Sequence, residues 1–93
     1  MKNKNADGKE AIEAFYKVIG QNVATIRKEK GLSQLDLTHR MGFKSVSLVS
    51  QAEVFYNNQH FSLQHLYKIA TILDCDVKEF FNGVDYRKID WES

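Results

Sequence analysis

Apolar side chains at Ile12, Phe15, Ile19, Val23 and Ile26 recur in steps of three or four residues. That spacing stacks them on one face of a helix. No proline occurs anywhere in the 93 residues, so no ring removes a backbone donor and breaks a helix. The first helix is expected to stop near Lys30, with Gly31 as its C-terminal glycine. Gly20 lies inside it, at an expected cost of about 1 kcal/mol relative to alanine.

The same logic divides the rest of the chain. Ser33 opens a second helix, and Asp36 three residues on completes a capping box. Leu35, Leu37 and Met41 supply its apolar contacts, and Gly42 ends it. Ser45 caps a third helix over 46–54, with Leu48, Val49 and Ala52 at helical spacing. Residues 55–60 have no period and read as a polar, aromatic loop. Ser62 caps a fourth helix with Leu63, Leu66, Ile69, Ala70 and Leu73 on its face. Asp76 caps a last short helix that turns Phe80 and Phe81 inward and ends at Asn82 and Gly83. No segment alternates as a strand does. The expected fold is all-α, a compact five-helix domain over 9–83. Residues 1–8 are polar and read as a disordered arm, and 84–93 as a tail.

Some classes are disfavoured at once. A single cysteine, Cys75, permits no internal disulfide. No apolar run reaches the roughly 18 residues of a membrane span, and no signal-like stretch opens the chain. A cytoplasmic protein is expected. His39, His60, His65 and Cys75 lack metal-ligand spacing, and no nucleophile, base and acid form a set. Neither a metal, a cofactor nor an enzyme is expected. Asp74 and Asp76 read as caps. Phe55, Tyr56, Phe61 and Tyr67 read as completing a small core rather than stacking on bases.

Net charge is only +1, but it is unevenly spread. Residues 14–73 hold seven basic and three acidic side chains, +4, whereas 74–93 hold three basic and six acidic ones, −3. A basic middle with an acidic tail suits a domain that meets a polyanion on one side. The segment 33–53 fits that role. It reads as a short helix, a glycine turn, and a second short helix with small polar residues outside, the layout of a helix-turn-helix. A helix entering a major groove about 12 Å wide needs short or hydrogen-bonding side chains on its outer face. Ser47, Ser50 and Gln51 supply them, while Arg40 and Lys44 lie close enough to neutralise phosphates.

The run IGQNVATIRKEKGLSQLDLTHRMG, then VSQAE, then LQHLYKIATILD, resembles the Cro/lambda-repressor-like helix-turn-helix family, often called XRE. The resemblance covers Ile19 to Phe81, about two-thirds of the chain. It rests on Gly31 to Gln34, on Arg27 ahead of Gln34, on Glu53 closing the third helix, and on Leu66 with Ile69 and Ala70. It implies a lambda-repressor-like fold and a transcription regulator that binds double-stranded DNA as a homodimer on a two-fold operator. Residue by residue it implies a phosphate contact for Gln34 and a partly buried ion pair between Arg27 and Glu53. Val49 and Ala52 match core positions. Ser45 matches the cap of the recognition helix, so Val46, Ser47, Ser50 and Gln51 face DNA, and Asn57 and Asn58 follow as loop contacts to phosphate. Three features depart from the family pattern. The stretch from Gly42 to Val49 is one residue longer, Thr38 stands where alanine is usual, and the loop from Glu53 to Phe61 is two residues longer, without glycine or proline.

Two questions stay open at this level. The alternative function is an antitoxin-like or other protein-interaction module on the same fold, for which only Val84 to Ser93 is left as an appended segment. The second question concerns Val84, Tyr86, Ile89 and Trp91. These apolar residues must either pack on the long first helix or meet a second subunit.

Overall fold

The structure, a computed structural model, describes residues 4–85, 89 and 91, with side chains from Gly8 onward. Among the described residues all regular structure is helical: α1 (Lys4–Glu29), α2 (Gln34–Arg40), α3 (Ser47–Ala52) and α4 (Leu63–Leu73), with 3-10 turns at Tyr56–Asn58 and Val77–Phe81. The architecture is all-α, as expected, but it has four α-helices rather than five. The expected fifth is the 3-10 turn Val77–Phe81. Only five residues separate the Asp76 cap from the extended Asn82, too few to build a ladder of α bonds. No described helix is long and apolar enough to cross a membrane.

The core lies where α1, α2, α3, α4 and the last 3-10 turn meet. Val23, Leu37, Val49, Ile69 and Phe80 are wholly excluded from solvent there. The apolar stripe of α1 behaves as its spacing predicts from Ile19 to Ile26, whereas Ile12 is 44% exposed because α1 runs past the body of the domain. Leu35, expected as a core contact, is 49% exposed and faces away from the core. Caps fix the helix ends. Ser33 and Asp36 bond reciprocally at 2.9 and 3.0 Å, and those bonds hold the Asp36 carboxyl below its ordinary pKa. Gly31, at φ 79°, lets Leu32 N–H return to Arg27 O and Gly31 N–H to Lys28 O, which ends α1 with its last carbonyls satisfied. Asn22 donates two 2.8 Å bonds, to Phe80 O and Asn82 O, and ties the C-terminal turn to α1.

The N-terminal end corrects the sequence reading. Helix α1 begins at Lys4, inside the stretch expected to be a disordered arm; residues 1–3 of that arm lie outside the described residues. The reason is the tail. Gly8 is buried, and a Cβ there would come within 2.9 Å of the Trp91 ring and 3.3 Å of Ile89. Val84, Ile89 and Trp91 line one small apolar hollow with Ala11, Ile12 and Phe15. The described tail residues therefore pack on the chain's own first helix, while Trp91 stays 63% exposed. Tyr86 lies outside the described residues.

Gly20 has a packing role that propensity hides. A Cβ at this position would clash with Ala52 O and lie only 2.7 Å from Glu53 O. The last carbonyls of α3 rest on the bare backbone of α1, and backbone atoms cannot swing aside. Gly20→Ala should gain about 1 kcal/mol of helix propensity but lose more to overpacking, for a net destabilisation of about 1–2 kcal/mol. Urea unfolding measures it, and a stabilised variant would mean that the two helices do not approach this closely.

The start of α4 predicts a pH dependence. Ser62 N–H donates to His65 Nδ1 at 3.0 Å, which requires a neutral imidazole, and Ser62 Oγ accepts the His65 N–H. Partial burial first, then Lys68 and His60, push the His65 pKa below its ordinary 6.5. A folded pKa below the unfolded one means that the unfolded chain binds the proton more readily. This contribution to stability is therefore complete above the unfolded value and is lost as pH falls from there towards the folded one. His65→Gln keeps a Ser-x-x-Gln capping box without the titration. Comparison of unfolding midpoints on either side of neutrality should show a smaller fall on acidification for His65→Gln than for wild type. Equal falls would mean that His65 is not the group responsible.

Candidate nucleic-acid interface

Arg27 projects from the last turn of α1 into the junction of three helices. Its Nε donates to Glu53 Oε2 at 2.7 Å and its Nη2 to Glu53 Oε1 at 3.0 Å, a bidentate ion pair. Nη1 donates to Leu32 O at 2.8 Å, and so closes the turn between α1 and α2. Both residues are at least 95% buried. Gln34 Nε2 adds a third donor to Glu53, at 2.8 Å from Oε1. The sequence reading expected Gln34 to serve the phosphate backbone; the structure first uses it to hold Glu53. Gln34 is half-buried, and its amide still has an oxygen and a second N–H.

Helix α2 leads through Gly42, at φ 89°, into α3. Phe43 N–H bonds Thr38 O and Gly42 N–H bonds His39 O across the turn. Thr38, at the position where the resemblance has alanine, is fully buried, and its hydroxyl donates to Gln34 O at 2.8 Å. The buried oxygen is thus satisfied within α2. Beyond the turn, Lys68 crosses from α4, with Nζ 3.3 Å from Met41 O and 5.6 Å from the centre of the Phe43 ring.

Helix α3 is shorter at both ends than the expected 46–54. Val46 already has helical dihedrals, but the bonded helix starts at Ser47 and ends at Ala52. Val46 rather than the expected Ser45 occupies the cap position and makes no side-chain cap bond, although Ser45 Oγ, one residue earlier, accepts the Ser47 N–H at 3.2 Å. Phe55 adopts φ 56°, which stops the helix and leaves Val54 67% exposed. The inner face is Val49 and Ala52, both buried. The opposite side brings together Ser45, Ser47, Ser50 and Gln51, with Val46 half-buried beside them. Ser45 Oγ donates to Ser47 Oγ at 2.9 Å, and Ser50 Oγ donates to Ser47 O at 3.2 Å. Lys44 and Arg40 are exposed nearby. The ion pairs among the described residues are Arg27–Glu53 and Lys78–Asp76, so neither Lys44 nor Arg40 is neutralised.

Asn57 and Asn58 are exposed at the tip of the following loop, both at positive φ, which asparagine tolerates better than most residues. Three left-handed residues within four let this glycine-free loop turn. An aromatic stack holds it down: Tyr16 lies face to face with His60 at 3.9 Å and with Phe55 at 5.8 Å between ring centres. Cys75 takes no part in this face, and burial raises its thiol pKa above the ordinary value. No three described His, Cys, Asp or Glu residues converge as a metal site.

Sequence reasoning missed a cleft beside this face. Lys17, Gln21, Ala24 and Lys28 of α1 form one wall, and Gln34, Glu53 and Val54 the other. The signal was present as an i, i+4, i+7, i+11 stripe, but it lies opposite the apolar face and reads as ordinary solvated surface.

The buried pair generates a stability prediction. Arg27→Ala should destabilise the fold by about 3–5 kcal/mol, because it strands a desolvated carboxylate. Arg27→Met with Glu53→Leu should lose far less than the two single changes added together. Thermal or urea melts of the three variants measure the coupling, and additive losses would show that the pair is not coupled. No protein-family model and no curated protein matches the chain.

Proposed function

We propose that this chain is a transcription regulator that binds double-stranded DNA sequence-specifically, with α2, the Gly42 turn and α3 acting as a helix-turn-helix of the lambda-repressor-like kind. The observation that carries this reading is the two-sidedness of α3. Its inner residues Val49 and Ala52 are buried and its last carbonyls rest on Gly20, while its outer side carries only short hydroxyl and amide side chains. Short hydroxyl and amide groups leave the α3 backbone free to approach base edges closely and can both donate to and accept from them. In this reading Ser47, Ser50 and Gln51 meet base edges. Lys44, Gln34, Asn57 and Asn58 meet the backbone, which positions the protein without reading sequence. A six-residue helix spans few base pairs, so two copies on a two-fold site supply the specificity.

Selection of bound sequences from a random duplex pool tests this. Enrichment of a two-fold consensus is the expected result, and no enrichment would overturn the reading. Gln51→Ala should relax the preference at one position of each half-site by about 1–3 kcal/mol, whereas Gln34→Ala should weaken binding to all duplexes alike. An unchanged consensus for Gln51→Ala would place the base-reading surface elsewhere.

A further inference from the structure

We propose that the cleft between α1 and the Gln34–Glu53 edge is a second contact region for backbone phosphates of duplex DNA, with Lys17 and Lys28 supplying the charge and Gln21 the hydrogen bond that orients it. This inference rests on the DNA-binding reading and extends it to a face of α1 that the recognition helix does not include.

Three observations converge on an anion. The first is charge. Lys17, Lys28 and Arg27 line the cleft against a single carboxylate, Glu53, and neither lysine has an ion-pair partner among the described residues. The second is hydrogen-bond polarity. Both Glu53 oxygens are taken, Oε2 by Arg27 Nε, and Oε1 by Arg27 Nη2 and Gln34 Nε2. The one acidic group in the cleft is thus turned inward and engaged, and the cations and amide N–H groups are what it offers to a ligand. Such a surface attracts phosphate oxygens and repels nothing that carries them. The third is shape. At 100° per residue, Lys17, Gln21, Ala24 and Lys28 fall within about 60° of one another on α1, and Ala24 in the middle leaves the wall low. The resulting hollow, about 470 Å³, opens to solvent beside Val54 at the end of α3. Lys17 and Lys28 stand about 16 Å apart along the helix, so each meets a different phosphate of a duplex that carries one charge per roughly 1.7 Å of axis.

Glu53 is central here without touching DNA. By accepting from Arg27 and Gln34 it removes its own charge from the cleft mouth and fixes the amide of Gln34 at its edge, so it is a positioning residue.

The test is the salt dependence of binding to a consensus duplex, and to a random duplex, for wild type, Lys17→Ala, Lys28→Ala and the double variant. The lysines hold no other described ion pair, so the fold should persist, which helical circular dichroism checks. Each single change should reduce the slope of log affinity against log salt by about 0.9. From roughly 50 to 200 mM salt the double variant should then lose about tenfold less affinity than wild type, with an unchanged base preference. A double variant with the wild-type slope would overturn the cleft proposal while sequence-selective binding by wild type left the DNA reading standing. A wild type that binds no duplex at low salt would overturn both. A changed base preference in either lysine variant would also count against a backbone contact. As a second readout, the Gln21 side-chain amide resonances should shift on titration with random duplex in wild type, and their remaining unmoved would overturn the assignment of Gln21.

Discussion

The Arg27 guanidinium is the point at which the chain's three N-terminal helices become one body. Its backbone oxygen and Nη1 both engage Leu32, which sets the turn out of α1. Its Nε and Nη2 hold Glu53, at the C-terminal end of α3. Through Glu53 it also holds Gln34, the first residue of α2. Desolvating two charges costs several kcal/mol per ion, so such a pair adds little net stability over a well-packed apolar substitute. What it adds is direction. An apolar contact tolerates a helix sliding by a fraction of a turn, whereas two parallel N–H···O bonds do not. Gly20 supplies a second fixed point about 10 Å further back along α1, where the α3 carbonyls sit against bare backbone. One polar and one steric contact together determine how α3 lies across α1.

The parts of this arrangement that were legible in the sequence are those that local physics decides. The stripe from Ile19 to Ile26, the reciprocal bonds of Ser33 with Asp36, the Ser62 cap and the glycine exits at Gly31 and Gly42 each depend on residues within a few positions of one another. The pairing of Arg27 with Glu53 spans 26 residues and came from the family resemblance, since no periodicity connects those positions. Gln34 shows where residue-level reasoning stops. Its position at the start of α2 was evident, but its donation to Glu53 depends on the tertiary placement of α3. Gly20 was misread for the same reason: in one dimension a helical glycine is only a weak former, and the carbonyls it accommodates are more than thirty residues away.

The N-terminal arm was misread, and the tail left undecided, because composition is a poor guide where two weak segments support each other. The stretch before Gly8 has only Met1 and Ala6 as apolar residues, and an isolated helix of a few turns is marginal in water. The tail has apolar residues but no periodicity. Placed together, Ile89 and Trp91 cover Gly8, and Val84 joins Ile12 and Phe15, so the extension of α1 gains an apolar partner. Neither segment carries this information alone. The hollow they share is incomplete, with Ile12 and Trp91 still largely open to solvent. Self-packing therefore does not use up this surface. It leaves a partly apolar end of the molecule several helical turns from Arg27.

Thr38 and the loop after Glu53, two of the features that depart from the pattern the sequence resembles, are each accommodated by local contacts. Thr38 brings a hydroxyl into a fully buried site, and α2 satisfies it internally through Gln34 O, so the α2–α3 packing sees only a slightly larger side chain. The longer loop after Glu53 contains no glycine, and its turn is made by Phe55, Asn57 and Asn58 at positive φ. Such a conformation is costly for phenylalanine, of order 1–3 kcal/mol, and persists only where packing enforces it. The enforcing contact is Tyr16, which stacks on both Phe55 and His60 and binds the loop to α1. The loop therefore hangs from the same helix that fixes α3, but by an independent attachment. The position of α3 is set upstream, by Arg27 and Gly20, before the chain reaches Phe55. The loop that carries Asn57 and Asn58 and the helix that carries Ser47, Ser50 and Gln51 are thus fastened to α1 through separate contacts.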